Sequence, residues 1–236
     1  MQPINETQHS LPENGSEGRT HGKSSLPPLS HSPMAPRWAA ILGILAIGVI
    51  YALLPEELTI GPNWLLLVVE GILILPFVVV WLMRREFPPM AERVLALIIL
   101  GVVTVALAGG IAFLISSLPH NTQAGFLLRS AGLIWFFNVF VFALWYWEID
   151  GGGPRKRHQS GHLAADFMFP QQADGKPGIW VPHFLDYLFL AFTAATALSP
   201  ADTFPLTRKA KGLMMIEAVL SMVTIVLLAA RAVNIL

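Results

Sequence analysis

The sequence predicts an all-α integral membrane protein with five transmembrane helices and a re-entrant helix-loop before the last one. Three observations carry that reading. The 236 residues are 54% hydrophobic and 13% charged, with a mean hydropathy of +0.60, whereas a soluble domain carries about 25% charged residues. Several apolar runs approach the roughly 20 residues that cross a bilayer, without the ~10-residue alternation of a β-barrel. Lys and Arg are also unevenly shared among the connections between those runs.

Composition excludes other classes. Fifteen Lys and Arg offset fifteen Asp and Glu, so no net positive field draws nucleic acid. There is no Cys, which rules out disulfides, thiolate nucleophiles and thiolate metal sites. Neither Gly-x-Ser-x-Gly nor His-Glu-x-x-His occurs, so hydrolytic chemistry has no anchor. The chain reads as a non-enzyme that needs no cofactor and has the lipid bilayer as its partner.

Residues 1–36 are rich in Pro, Ser, Asn, Gly and His and cannot bury a core, so a disordered tail is expected. Residues 37–236 form the transmembrane domain, with spans at about 38–54, 64–83, 94–118, 125–147 and 212–230. Trp38, Trp64, Trp81, Trp145 and Trp147 stand at run ends, where aromatic rings prefer the headgroup level. The glycines at 151–153 end the fourth helix.

Orientation follows from the cations. Arg84, Arg85 and Arg93 follow the second run and Arg155, Lys156 and Arg157 follow the fourth. The connections after the first and third contain neither Lys nor Arg. Short basic loops stay cytoplasmic, which puts the N-terminus inside. The stretch 183–203 decides the rest. As a sixth span it would carry Arg208, Lys209 and Lys211 outside; as a re-entrant element it keeps them inside. The charge rule favours re-entry, and the C-terminus is then outside.

Polar groups within spans are costly and mark candidate sites. Glu70 and Arg129 lie at nearly matching depths from one side, which suggests an ion pair that clamps two helices. In the last span Glu217, Ser221 and Thr224 are spaced 4 and 3, which aligns them on one helical face. Such a stripe either packs against a neighbour or lines a wet cavity. Arg155, Lys156 and Arg157 form a basic run suited to anionic lipid headgroups, or serve only as a topology signal. His158, His162 and Asp166 are each four apart, but Gly161 interrupts them in a polar loop, so no metal site is expected.

Two resemblances follow from particular stretches. "WYWEIDGGGPRKR", "DFMFPQ", "DYLFLAFTAATALSPADTFPLTRKAKGLMM" and "ARAVNIL" resemble a family of uncharacterised bacterial multi-pass membrane proteins. This implies the inner membrane and carries no activity. The order of fourth span, "DYLFLAF", Thr- and Asp-bearing loop and final helix also remotely resembles the pore module of potassium channels. Thr196 would take the filter Thr position and Asp202 approximately the Asp position. The two filter glycines are replaced by Leu198 and Pro200, which do not adopt the backbone angles that aim carbonyls at an ion. That likeness implies a pore-loop layout without a potassium-type filter.

The leading expectation is therefore ion or small-solute permeation. Thr193, Thr196, Ser199 and Asp202 would line it from the loop, and Glu217, Ser221 and Thr224 from the helix. A pore of this kind needs several subunits, hence a homo-oligomer. The alternative is a non-conducting structural or accessory protein, whose stripe would be dry and hydrogen-bonded. A secondary transporter is less favoured, because the spans show no inverted repeat.

Overall fold

The computed structural model describes residues 38–83, 88–117, 124–173, 180–196 and 203–233. The tail 1–36, the connection 84–87 and the loop bearing Ser199 and Asp202 lie outside them. Among the described residues seven α-helices run in order: α1 (Trp38–Ala52), α2 (Leu65–Leu82), α3 (Pro89–Ser117), α4 (Ala124–Ile149), α5 (Pro154–Gln159), α6 (Phe184–Ala195) and α7 (Arg208–Val233). The architecture is all-α. A two-residue antiparallel pair, β1 (Phe167–Met168) with β2 (Phe204–Pro205), is the only strand pairing among the described residues.

Among the described residues three helices are long and apolar enough to cross a membrane, over Pro89–Ser117, Gly125–Gly152 and Arg208–Ala230. α1, α2 and α6 are shorter apolar helices. α1 has 15 residues, about 22 Å at 1.5 Å per residue. α3 and α7 begin several residues before the apolar runs at 94 and 212. For α7 the cause is Thr207, whose Oγ1 accepts a hydrogen bond from Ala210 N at 3.3 Å and caps one of the free N–H groups of the first turn.

α4 is the central helix, packed against α1, α3, α6 and α7. Its inward side chains (Ile134, Phe137, Val141, Ala143, Tyr146) are wholly buried. The outer helices are inverted relative to a soluble protein. On α7, Met215, Ile216, Val219 and Met222 are exposed, while Glu217, Ser221 and Thr224 are buried. Apolar residues outside and polar ones inside suit a hydrocarbon surround, where a buried polar group seeks another.

α4 stops where the backbone turns left-handed. Gly151, Gly152 and Gly153 have φ of 60°, 79° and 102°, a region costly for any residue with a Cβ. Pro154 then opens α5 at its first position, where its missing N–H costs nothing.

α6 runs back along α4. Its first turn meets the end of α4, with Phe184 and Tyr187 ring centroids 6.1 and 5.5 Å from Trp147. Its last turn meets the middle of α4, with Phe192 5.7 Å from Trp135. By Phe204 the chain is again at the end of α4. Phe204 pairs with Met168, and the neighbouring Phe167 N donates to Asp150 Oδ1 at 3.2 Å.

Candidate functional site

The stripe on α7 packs against α4. Glu217 and Thr224 have no exposed surface and Ser221 has 1%. The spacing of 4 and 3 turns all three the same way, and α4 presents matching polar groups. Tyr146 donates its hydroxyl to Glu217 Oε2. Asn138 Nδ2 donates to Ser221 Oγ at 2.7 Å and to the Glu217 carbonyl at 3.4 Å. Thr224 returns its hydroxyl to its own helix, to the carbonyls of Ser221 (2.8 Å) and Leu220 (3.1 Å). Two buried acceptors in the seam, Glu217 Oε1 and Asn138 Oδ1, have no donor among the described residues.

The other candidates fall elsewhere. Thr193 is buried and donates to Leu190 O at 2.9 Å; Thr196 donates to Phe192 O and Thr193 O. Both hydroxyls are thus taken up by α6 itself. Ser199 and Asp202 lie outside the described residues.

The expected Glu70–Arg129 ion pair is not formed. Arg129 is exposed and donates to Leu53 O at 3.5 Å. Glu70 is fully buried between α2 and α1, against Gly48. Both side chains reach the α1 segment, but Glu70 meets it at Gly48 and Arg129 at Leu53, so they do not meet each other.

The basic run also divides. Arg155 pairs with Glu92 of α3 at 3.1 Å, and Lys156 is exposed. Arg157 is 1% exposed and is not available to headgroups. Its Nη1 donates to the carbonyls of Asp150 (2.8 Å) and Trp147 (3.0 Å). Its guanidinium lies 4.8 Å from the Trp147 ring centroid and 5.2 Å from that of Tyr187, a cation–π sandwich. Asp150 accepts from Tyr187 OH at 2.5 Å and from the N–H groups of Asp166 and Phe167. Asp166 in turn accepts from Gly151 N and from Thr207 Oγ1. One buried clasp thus joins α4, α5, α6, β1 and the start of α7.

His158 Nδ1 and His162 Nε2 are 3.2 Å apart, while Asp166 serves the clasp. No group of residues suited to a metal ion occurs among the described residues. Burial holds His162 well below the usual imidazole range, at about 4, with His158 and Arg157 adding to the effect.

Sequence reasoning missed Asn138, Tyr146 and the Asp150–Arg157–Tyr187 clasp. Asn138 had a signal: an amide inside an apolar run is a candidate on the same ground as Glu217.

The fold and this seam define an α-helical protein with helices long and apolar enough to cross a membrane and a buried polar interface between two of them. Comparisons with protein families, with characterised proteins and with solved structures find no match.

Proposed function

We propose a multi-pass protein of the inner membrane with five spans (α1, α2, α3, α4 and α7) and one re-entrant element at 183–203. In this reading it acts as a non-conducting structural or accessory unit. Burial of the stripe carries the proposal: Glu217 and Ser221 are hydrogen-bonded to Tyr146 and Asn138 of α4, and buried Thr224 returns its hydroxyl to its own helix. A conduction pathway would leave these groups to water.

Re-entry is supported by α6, whose 12 residues reach about 18 Å against the ~30 Å of a hydrocarbon core. It is supported further by Phe184 and Phe204 both lying at the Asp150 end of α4. Arg93, Arg155, Lys156 and Arg157 gather at that end, which the charge rule makes cytoplasmic. The N-terminus is then inside and the C-terminus outside.

Single-cysteine labelling tests this on a chain with no native Cys. Protection of positions 217, 221 and 224 from a water-soluble reagent is expected, with no current in planar bilayers. Labelling of all three would overturn it.

A second reading, permeation by a homo-oligomer, is favoured by one observation. α4, α6 and α7 are packed on one another in the order of a pore module. Currents lost in Glu217→Gln would establish it over the first.

A further inference from the structure

Glu70 is an acidic side chain within the apolar helix α2. It has no exposed surface, and neither carboxylate oxygen has a hydrogen-bond partner among the described residues. It sits in a niche that α1 opens by carrying Gly48. A Cβ at Gly48 would collide with Glu70 Oε2 and press on Leu67. The niche is closed by the chain itself, so the inference does not depend on how many spans the protein has.

A bare carboxylate in apolar surroundings needs a countercharge, a set of donors, or a proton. The helices packed against α2 are α1 and α3. The only titratable group of α1 is Tyr51, whose hydroxyl oxygen accepts from Ile60 N. α3 carries Glu92 and Arg93 in its first turn, engaged with Arg155 and the Gly152 carbonyl. Arg129 is turned to Leu53. No countercharge is therefore at hand among the described residues. A metal cation is also a poor fit. Hard cations take about six or more oxygens, and the atoms that crowd Gly48 are those of Glu70 and the Leu67 side chain.

We propose that Glu70 is a proton-binding site within the helical bundle, held as the carboxylic acid in the Gly48 niche. The ligand class is the proton, and the site is a titratable switch between α1 and α2. Loss of the proton places a charge in the niche and drives the two helices apart.

Dicyclohexylcarbodiimide tests this on the full chain in lipid vesicles. The acid adds across one C=N bond of the reagent. Its proton passes to nitrogen, its oxygen bonds to carbon, and the O-acylisourea rearranges to a stable N-acylurea. No other reactant is needed. Peptide mass mapping should find the adduct on Glu70 with this hydrophobic reagent and not with a water-soluble carbodiimide. Gly48→Ala should abolish it by displacing the carboxyl. An infrared carboxylic C=O band of the wild type should be lost in Glu70→Gln. An unmodified Glu70 would overturn the proposal, as would modification by the water-soluble reagent. Protection by sodium in place of acid would also overturn it and assign a metal cation. If Glu70→Gln does not fold, the wild-type adduct map and Gly48→Ala decide the matter.

Discussion

Tyr146 of α4 donates its hydroxyl to Glu217 of α7, with neither side chain exposed at all. This bond ties the two most extensively packed helices through an otherwise apolar interior. Removing the donor leaves the carboxylate with no partner among the described residues, and an orphaned buried acceptor costs more than the net value of the bond. Tyr146→Phe should therefore lower stability by about 1–3 kcal/mol. Glu217→Leu in that background should recover much of the loss, since two apolar groups leave nothing unsatisfied. Thermal unfolding of the four variants in mild detergent, read as a double-mutant cycle, checks this. Independent, additive effects would mean that the bond is absent.

A similar contact lies one turn further along α7. Asn138 Nδ2 bonds Ser221 Oγ at 2.7 Å, and both residues are buried. Interhelical bonds of this kind in membranes average about 0.6 kcal/mol and reach about 1.7. Ser221→Ala should fall in that range, measured by the same unfolding assay. Asn138→Leu should cost more, because its amide also serves the Glu217 carbonyl and the larger apolar group must fit a packed seam.

The stripe on α7 was legible in the sequence because three polar residues at helical spacing share one face whatever the neighbour is. What that face meets was not legible, since the partner groups Tyr146 and Asn138 lie 71 to 83 residues away in the chain. Arg157 shows the same limit. Its place in a basic run suggests a surface cation, yet the left-handed turn at Gly151–Gly153 swings α5 back so that the guanidinium enters the clasp. Local charge sets the side of the membrane; only the tertiary path of the chain sets whether a cation faces lipid or protein. Glu70 and Arg129 fail as a pair for a related reason. Their approximate depth was inferable from the residue count, but not that one would meet the first helix at Gly48 and the other at Leu53.

Acid should weaken the clasp end of the protein through His162. This residue is buried, beside His158, and its imidazole is held at about 4 against the usual 6.5. The unfolded chain therefore binds the proton more readily than the folded one between those values. Stability from this group is complete above pH 6.5 and is lost as pH falls towards 4, by at most about 3 kcal/mol. His162→Asn should flatten that part of the profile. Asn also suits the backbone there, where φ is 56°. Melting temperature across pH 4–7 checks this: an unchanged slope in the variant would place the acid sensitivity elsewhere.

Arg157 and Lys156 are adjacent in sequence and opposite in role. Arg157 closes two carbonyls at the end of α4, lies 3.9 Å from Asp150 Oδ2 and is sandwiched by two aromatic rings. Removing one member of a buried charged pair costs about 3–5 kcal/mol, so Arg157→Ala should destabilise the protein by that order. Arg157→Lys should recover little, because an ammonium lacks the flat guanidinium face that stacks between the Trp147 and Tyr187 rings. Lys156 is exposed, and Lys156→Ala should stay within about 0.5 kcal/mol. Binding to vesicles rich in anionic lipid should show the reverse pattern. Lys156→Ala should weaken it, while folded Arg157→Lys protein should bind as the wild type does. Equal effects of Lys156→Ala and Arg157→Ala on vesicle binding, with no loss of melting temperature in the latter, would put Arg157 at the headgroups and not in the clasp.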